Sequence, residues 1–200
     1  MSGLLEIDGS QGEGGGQILR TALSLAVITG RPFVIRAIRA RRKRPGLMRQ
    51  HLACVRAARE ICAAEVEGEE IGATRLTFRP GPAVAGDYRF AVGSAGSTML
   101  VLQTVLPPLL LAAGPSRLAL GGGTHNPPAP TVELIARAFL PVLREMGADV
   151  TATLERRGFA PAGGGRVGVV IAGGTRLQPL DLRECGGFIQ RRAEIMTAHL

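Results

Sequence analysis

Chemistry in this 200-residue chain first becomes possible at Gly12-Glu13-Gly14-Gly15-Gly16-Gln17, which stands between an alternating stretch and an apolar one. Glycines let backbone N–H groups approach an oxyanion, and a helix starting behind them adds a dipole that favours negative charge. The string matches neither the Walker nor the dinucleotide fingerprint. An oxyanion cradle and a tight structural turn are both open at this point. Glu13 is the carboxylate that immediately precedes a long basic segment. A lone carboxylate of that kind commonly holds magnesium together with substrate phosphates; the other reading is an acid that satisfies a helix dipole. Arg20, one helical turn on from Gly16, is the only charge in its apolar stretch, and burying an unpaired guanidinium is costly. It requires a partner, either a carboxylate or a bound phosphate. A second basic cluster, Arg39-Ala40-Arg41-Arg42-Lys43-Arg44-Pro45-Gly46, leads into a helix whose first turn holds Arg49, Gln50 and His51. Helix N-terminus and arginines together make another oxyanion site. Alternation at a strand end sets Arg39 and Arg41 on opposite faces, so some of these cations face a cleft and the rest are solvated or touch a nucleic-acid backbone. His51, His125 and His199 have no carboxylate or Cys at ligand spacing and read as surface or internally satisfied histidines. No Ser/His/Asp ordering stands out.

The charge distribution agrees with an anionic ligand. Between Gly14 and Arg59 there is no Asp or Glu, yet Arg20, Arg31, Arg36, Arg39, Arg41, Arg42, Lys43, Arg44, Arg49, Arg56 and Arg59 fall there. That segment carries +11 against +8 for the whole chain, so the remainder sums to −3 and the basicity is local. Arg forks onto phosphate oxygens; polyanion binding and a solvated basic face are the two readings. With aromatics at 4% and no Trp, base-stacking RNA modules are disfavoured. Cys54, Cys62 and Cys185 form no CxxC pair, which excludes a structural zinc site and points to a reducing compartment. No signal-peptide pattern opens the chain. The longest apolar run, Met99 to Ala113, is interrupted by Gln103, Pro107 and Pro108 and is too short for a bilayer. A soluble cytoplasmic protein is the expectation.

These residues must be positioned by elements, and the elements repeat. A strand (Leu4 to Asp8), a Gly-rich turn, a helix (Gln17 to Thr29), a strand (Pro32 to Ala40), a basic loop, a helix from near Pro45 to Cys62, and two short strands (Ala64 to Glu67, Arg75 to Phe78) form one unit. The order recurs with a strand (Tyr88 to Val92), a Gly/Ser turn (Gly93 to Ser97), a helix (Thr98 to Ala113), a strand (Arg117 to Leu120), a helix (Thr131 to Met146) and two strands (Asp149 to Leu154, Val167 to Ile171). The predicted fold class is α+β, with two βαβαββ units at residues 1–83 and 84–175. Residues 176–200 read as a linker followed by a strand from Gly187 to Thr197.

Ile7-Asp8-Gly9-Ser10-Gln11-Gly12-Glu13-Gly14-Gly15-Gly16-Gln17-Ile18-Leu19-Arg20 closely resembles RNA 3'-terminal phosphate cyclase. So do Ile38-Arg39-Ala40-Arg41-Arg42 with Pro45-Gly46-Leu47 and Gln50-His51, Gly93-Ser94-Ala95-Gly96-Ser97 with Val101-Leu102-Gln103-Thr104, and Arg157-Gly158-Phe159-Ala160-Pro161-Ala162-Gly163-Gly164-Gly165. The resemblance spans about Leu4 to Thr197. It implies three βαβαββ repeats with a smaller domain inserted before the third, of which this chain carries two repeats and the start of the insert. The implied activity is ATP-dependent conversion of an RNA 3'-terminal phosphate to a 2',3'-cyclic phosphate, through an adenylated histidine and an RNA adenylate. Covalent catalysis splits one hard step into easier ones, while arginines and a divalent metal neutralise the phosphates.

Carried onto this sequence, Glu13 resembles the glutamate that contacts Mg2+ or Mn2+, and Arg20, Arg39, Arg42 and Gln50 resemble the phosphate-binding and catalytic set. Gln103 resembles the nucleotide-contacting glutamine and Pro130 the proline that packs on adenine. In Gly122-Gly123-Thr124-His125-Asn126 the chain departs from relatives, which usually carry Asp or Asn at position 125. The family's adenylated histidine belongs to the third repeat, so none of His51, His125 and His199 is assigned as the nucleophile. The expectation is the N-terminal part of a cyclase that binds phosphorylated RNA ends weakly and does not turn over. Its rivals are a non-catalytic cyclase-like RNA-binding protein or inactive remnant, a carboxyvinyl transferase built from similar repeats, and a plain basic RNA-binding module.

Overall fold

The computed structural model describes residues 3–184, 186–187, 189–191 and 193–195. Its first unit runs β1 (Leu5–Asp8), α1 (Gly16–Thr29), β2 (Phe33–Arg36), α2 (Arg49–Cys62), β3 (Glu65–Glu67) and β4 (Leu76–Arg79). The strands form a sheet in the order β1-β2-β4-β3, with β1 parallel to β2 and the other pairs antiparallel. A parallel pair needs a crossover, and α1 supplies it.

The second unit repeats this plan. It runs β5 (Asp87–Ala91), α3 (Thr98–Leu111), β6 (Ser116–Gly122), then a helical rod, then β7 (Val150–Arg156) and β8 (Gly165–Ile171), in the order β5-β6-β8-β7. Again the first pair is parallel and the rest antiparallel. The α+β class with repeated βαβαββ topology is therefore what the chain adopts. The rod is α4 (Val132–Leu134), a π-helical turn (Ile135–Phe139) and α5 (Leu140–Glu145) in succession, where the sequence predicts one uniform helix.

Burial follows from composition. Leu19, Leu23 and Ala26 lie on one side of α1, Leu52, Val55, Ala58 and Cys62 on one side of α2, and all are buried. Gly30, in the left-handed region at φ 67°, closes α1. Helix α3 is apolar almost all round, and it packs against both α1 and α2. The core is consequently continuous from one unit into the other.

Three boundaries differ from the sequence expectation. Strand β2 ends at Arg36, not Ala40, because Ala37 and Arg39 adopt positive φ of 53° and 56°, which breaks the pleat. Arg39 and Arg41 accordingly sit in a turn, and the alternation argument does not apply to them. Helix α2 begins at Arg49 behind Met48, leaving Pro45 and Gly46 in the loop, where the Gly46 N–H donates to the Ile38 carbonyl at 2.8 Å. In the expected Gly187 to Thr197 segment the described residues carry no strand, and Phe188, Arg192, Met196 and Thr197 lie outside them, as do Cys185 and His199. No helix among the described residues is long and apolar enough to cross a membrane.

Candidate functional site

The Gly-rich turn after β1 delivers the chain to the first turn of α1, where Gly15 is the N-cap with no side-chain hydrogen bond and no acidic residue follows. The N–H groups of that turn have no intrahelical acceptors. Around them three cationic or polar side chains converge. Arg42 lies on one side, its Nη2 3.1 Å from where a Gly15 Cβ would stand. On the other side, a Cβ on Gly16 would collide with the His51 imidazole and stand 2.9 Å from Arg20 Nη1. Glycine at position 16 is therefore required by the side chains that close over it.

Arg20 is buried, at 8% exposure. Its Nε donates to Gln103 Oε1 at 3.3 Å and its Nη2 to Gln17 Oε1 at 2.9 Å. Both partners are neutral amides, and no carboxylate among the described residues pairs with this guanidinium. Burial pulls its pKa below the usual value, yet a guanidinium stays charged throughout the ordinary pH range. A buried cation without a counter-charge beside free helix N–H groups supplies the positive charge and the donors that an oxyanion requires.

Arg42 Nη2 donates to Glu13 Oε2 at 3.0 Å, and the Glu13 side chain is 91% exposed. Arg39 is engaged differently. Its Nη1 donates to the Arg44 and Gly46 carbonyls at 2.5 and 2.9 Å, so it ties the basic loop to itself. Desolvation, and then the neighbouring Arg42 charge, lower its pKa. Arg41 reaches the Gly12 carbonyl at 3.4 Å, fastening the basic loop to the Gly-rich turn.

Gln50, on the same first turn of α2 as His51, bridges to the second unit. Its Nε2 donates to the Ser97 carbonyl at 3.1 Å, and its Oε1 lies against Gly96, so it joins α2 to the Gly/Ser turn of the second unit. Gln103 and Pro130 share with Arg20 and Gln17 one end of a cleft of about 540 Å3 between α1, α3 and the helical rod. Farther along, that cleft is lined by Leu25, Leu106, Phe139 and Leu143.

The structure thus gathers Glu13, Arg20, Arg39 and Arg42 around the first turn of α1, with Gln103 and Pro130 at the adjoining cleft. Sequence reasoning missed two members, Gln17 and His51. Gln17 is recoverable from its spacing, three residues before Arg20 on one helical face. His51 is buried at 9% exposure, and its Nδ1 accepts the Met48 N–H at 3.1 Å. Burial first, then the Arg39 and Arg20 charges, lower its pKa to about 4, so it is neutral near pH 7. Its place three residues into α2 was the available signal.

The Arg157 to Gly165 string serves the second unit. Gly158 N–H donates to Thr124 Oγ1 at 2.9 Å, Phe159 stacks on His125 at 5.0 Å between ring centroids, and Gly163 runs at φ 72° where a Cβ would meet the Ser94 carbonyl at 2.8 Å. Of the two readings of His125, surface or internal, the structure takes the internal one: its side chain is 9% exposed and its Nε2 is 3.0 Å from Glu133 Oε2. A family model described as RNA 3'-terminal phosphate cyclase matches residues 11–197 of this chain. The chain belongs to that family.

Proposed function

We propose that this member of the RNA 3'-terminal phosphate cyclase family takes an RNA with a 3'-terminal phosphate as substrate and serves its ATP-dependent conversion to a 2',3'-cyclic phosphate, with release of AMP and diphosphate. The observation that carries the reading is Arg20, a buried guanidinium held only by amides and aimed at an uncapped helix N-terminus beside Arg42. Such a site takes a phosphate, because backbone N–H donors and guanidinium forks together match its oxygens.

The adjoining cleft supports a nucleotide next to that phosphate. Its apolar wall at Pro130 suits a base, and Gln103, already bonded to Arg20, offers an amide toward the sugar and phosphate end. Glu13 fits a divalent ion of the Mg2+ or Mn2+ class. Its carboxylate is exposed and only one oxygen is engaged by Arg42, while no group of three protein ligands stands near it among the described residues. An ion there would draw its remaining ligands from phosphate oxygens and water. Bound, it neutralises charge that develops on the phosphates; Arg20 and Arg42 orient the oxygens, and Arg39 keeps the loop that presents Arg42 in shape.

None of His51, His125 and His199 is assigned as the adenylated nucleophile. The reading is tested on binding of the phosphorylated end. The test compares binding of one oligonucleotide ending in 3'-phosphate or 3'-hydroxyl. The phosphate end binds more tightly, and Arg20→Ala or Arg42→Ala lowers its affinity on the order of 10- to 100-fold, the scale of a charge-assisted hydrogen bond. Equal affinity for both ends with a steep salt slope would instead mark a plain basic RNA-binding surface.

A further inference from the structure

Resting on the phosphate reading above, we propose that His51 is a binding residue for the terminal phosphate, donating a hydrogen bond from a neutral imidazole through Nε2–H. The tautomer follows from geometry. The Met48 backbone N–H points at Nδ1 at 3.1 Å, and a backbone N–H can only donate, so Nδ1 must be the acceptor and a neutral ring carries its proton on Nε2. The depressed pKa, about 4 and caused first by burial and then by Arg39 and Arg20, keeps the ring neutral under ordinary conditions.

Nε2 faces the position a Gly16 Cβ would occupy, beside Arg20 Nη1. No other side chain or carbonyl among the described residues accepts its proton. The donor sits on a residue only 9% exposed, is directed at a helix N-terminus that no side chain caps, and has no protein acceptor among the described residues, so it is open to an incoming anion. A neutral donor suits this place, because a third cation next to Arg20 and Arg39 would add repulsion in the free protein. The same geometry denies His51 a nucleophilic role. One ring nitrogen is occupied by Met48, and the other bears the proton with no carboxylate beside it to remove it.

Two substitutions separate the donor from the helix cap. In His51→Asn the amide oxygen replaces Nδ1 as acceptor for Met48 while the distal donor is lost; in His51→Gln the distal N–H is kept and the cap acceptor is lost. Binding is measured by calorimetry with oligonucleotides ending in 3'-phosphate and in 3'-hydroxyl, beside Arg20→Ala. His51→Asn is expected to lose roughly 10- to 100-fold in affinity for the phosphate end with the hydroxyl end unchanged, and His51→Gln to stay within about threefold of wild type. Should His51→Asn bind the phosphate end like wild type while Arg20→Ala loses it, His51 is no ligand and the phosphate reading stands. If wild type itself fails to prefer the phosphate, both fall. A readout independent of either variant folding is the imidazole 15N spectrum of the wild-type chain. The proton is expected on Nε2 at neutral pH, with that resonance moving on addition of inorganic phosphate; a proton on Nδ1, or no response, would overturn the proposal.

Discussion

At the residue scale, His51 carries a stability effect separable from binding. Its imidazole protonates near 6.5 when unfolded and at about 4 when folded. Between those values the unfolded chain binds more protons, so stability rises with pH across that window and the contribution is flat above it. The upper bound is about 3 to 4 kcal/mol, from roughly 1.4 kcal/mol per pKa unit. Urea unfolding at pH 4.5 and 7 should therefore show wild type losing more stability on acidification than His51→Asn, since the remaining carboxylates titrate in both. Equal losses would mean that burial of this imidazole does not set the slope. Arg39 offers a second contrast. Because the single nitrogen Nη1 serves both the Arg44 and Gly46 carbonyls, a lysine ammonium with three donors can keep those bonds, so Arg39→Lys should weaken phosphate-end binding less than Arg39→Ala, as calorimetry would read directly.

Helices and turns explain why two equivalent loops do different things. The turn before α3 ends in Ser97, whose hydroxyl caps the helix by accepting the Met99 N–H at 3.2 Å; the turn before α1 ends in Gly15 with no cap. One N-terminus is satisfied internally and the other is free for a ligand. Gly16→Ala tests this. Alanine favours a helix by about 1 kcal/mol over glycine, yet its Cβ would push into His51 and Arg20. The expected outcome is a chain that stays folded, by circular dichroism and melting, with affinity for the phosphate end reduced about 10-fold or more. Unchanged affinity would show that the close approach at Gly16 is not part of the site. The turn between β2 and α2 follows a different logic. Its positive-φ residues Ala37 and Arg39 end the strand four residues before alternation alone predicts, and that is what curls Arg39 back onto its own loop.

Across the whole molecule, the shared core makes the two units one cooperative body. Leu23, fully buried in α1, belongs to the same apolar cluster as the second unit's side chains. Leu23→Ala is expected to cost about 2 to 5 kcal/mol and to shift a single unfolding transition rather than split it; near-ultraviolet dichroism of Tyr88 in the second unit and far-ultraviolet dichroism should give coincident curves. Two separate transitions would contradict a continuous core.

Much of this was legible in the chain itself. The repeat, its strand and helix order, the Gly-rich turn and the basic cluster follow from local pattern, because periodicity and glycine placement act over a few residues. Glu13, Arg20, Arg42, Gln103 and Pro130 were legible as candidates through their motifs. What only the tertiary structure decided was who meets whom. Gln103 reaches Arg20 from the second unit across 83 positions, Gln50 bonds to Ser97 across the two units, and His51 closes over Gly16 from another helix. Packing of α1, α2 and α3 against each other sets those meetings, and side-chain burial between helices depends on the whole chain's collapse rather than on any local spacing.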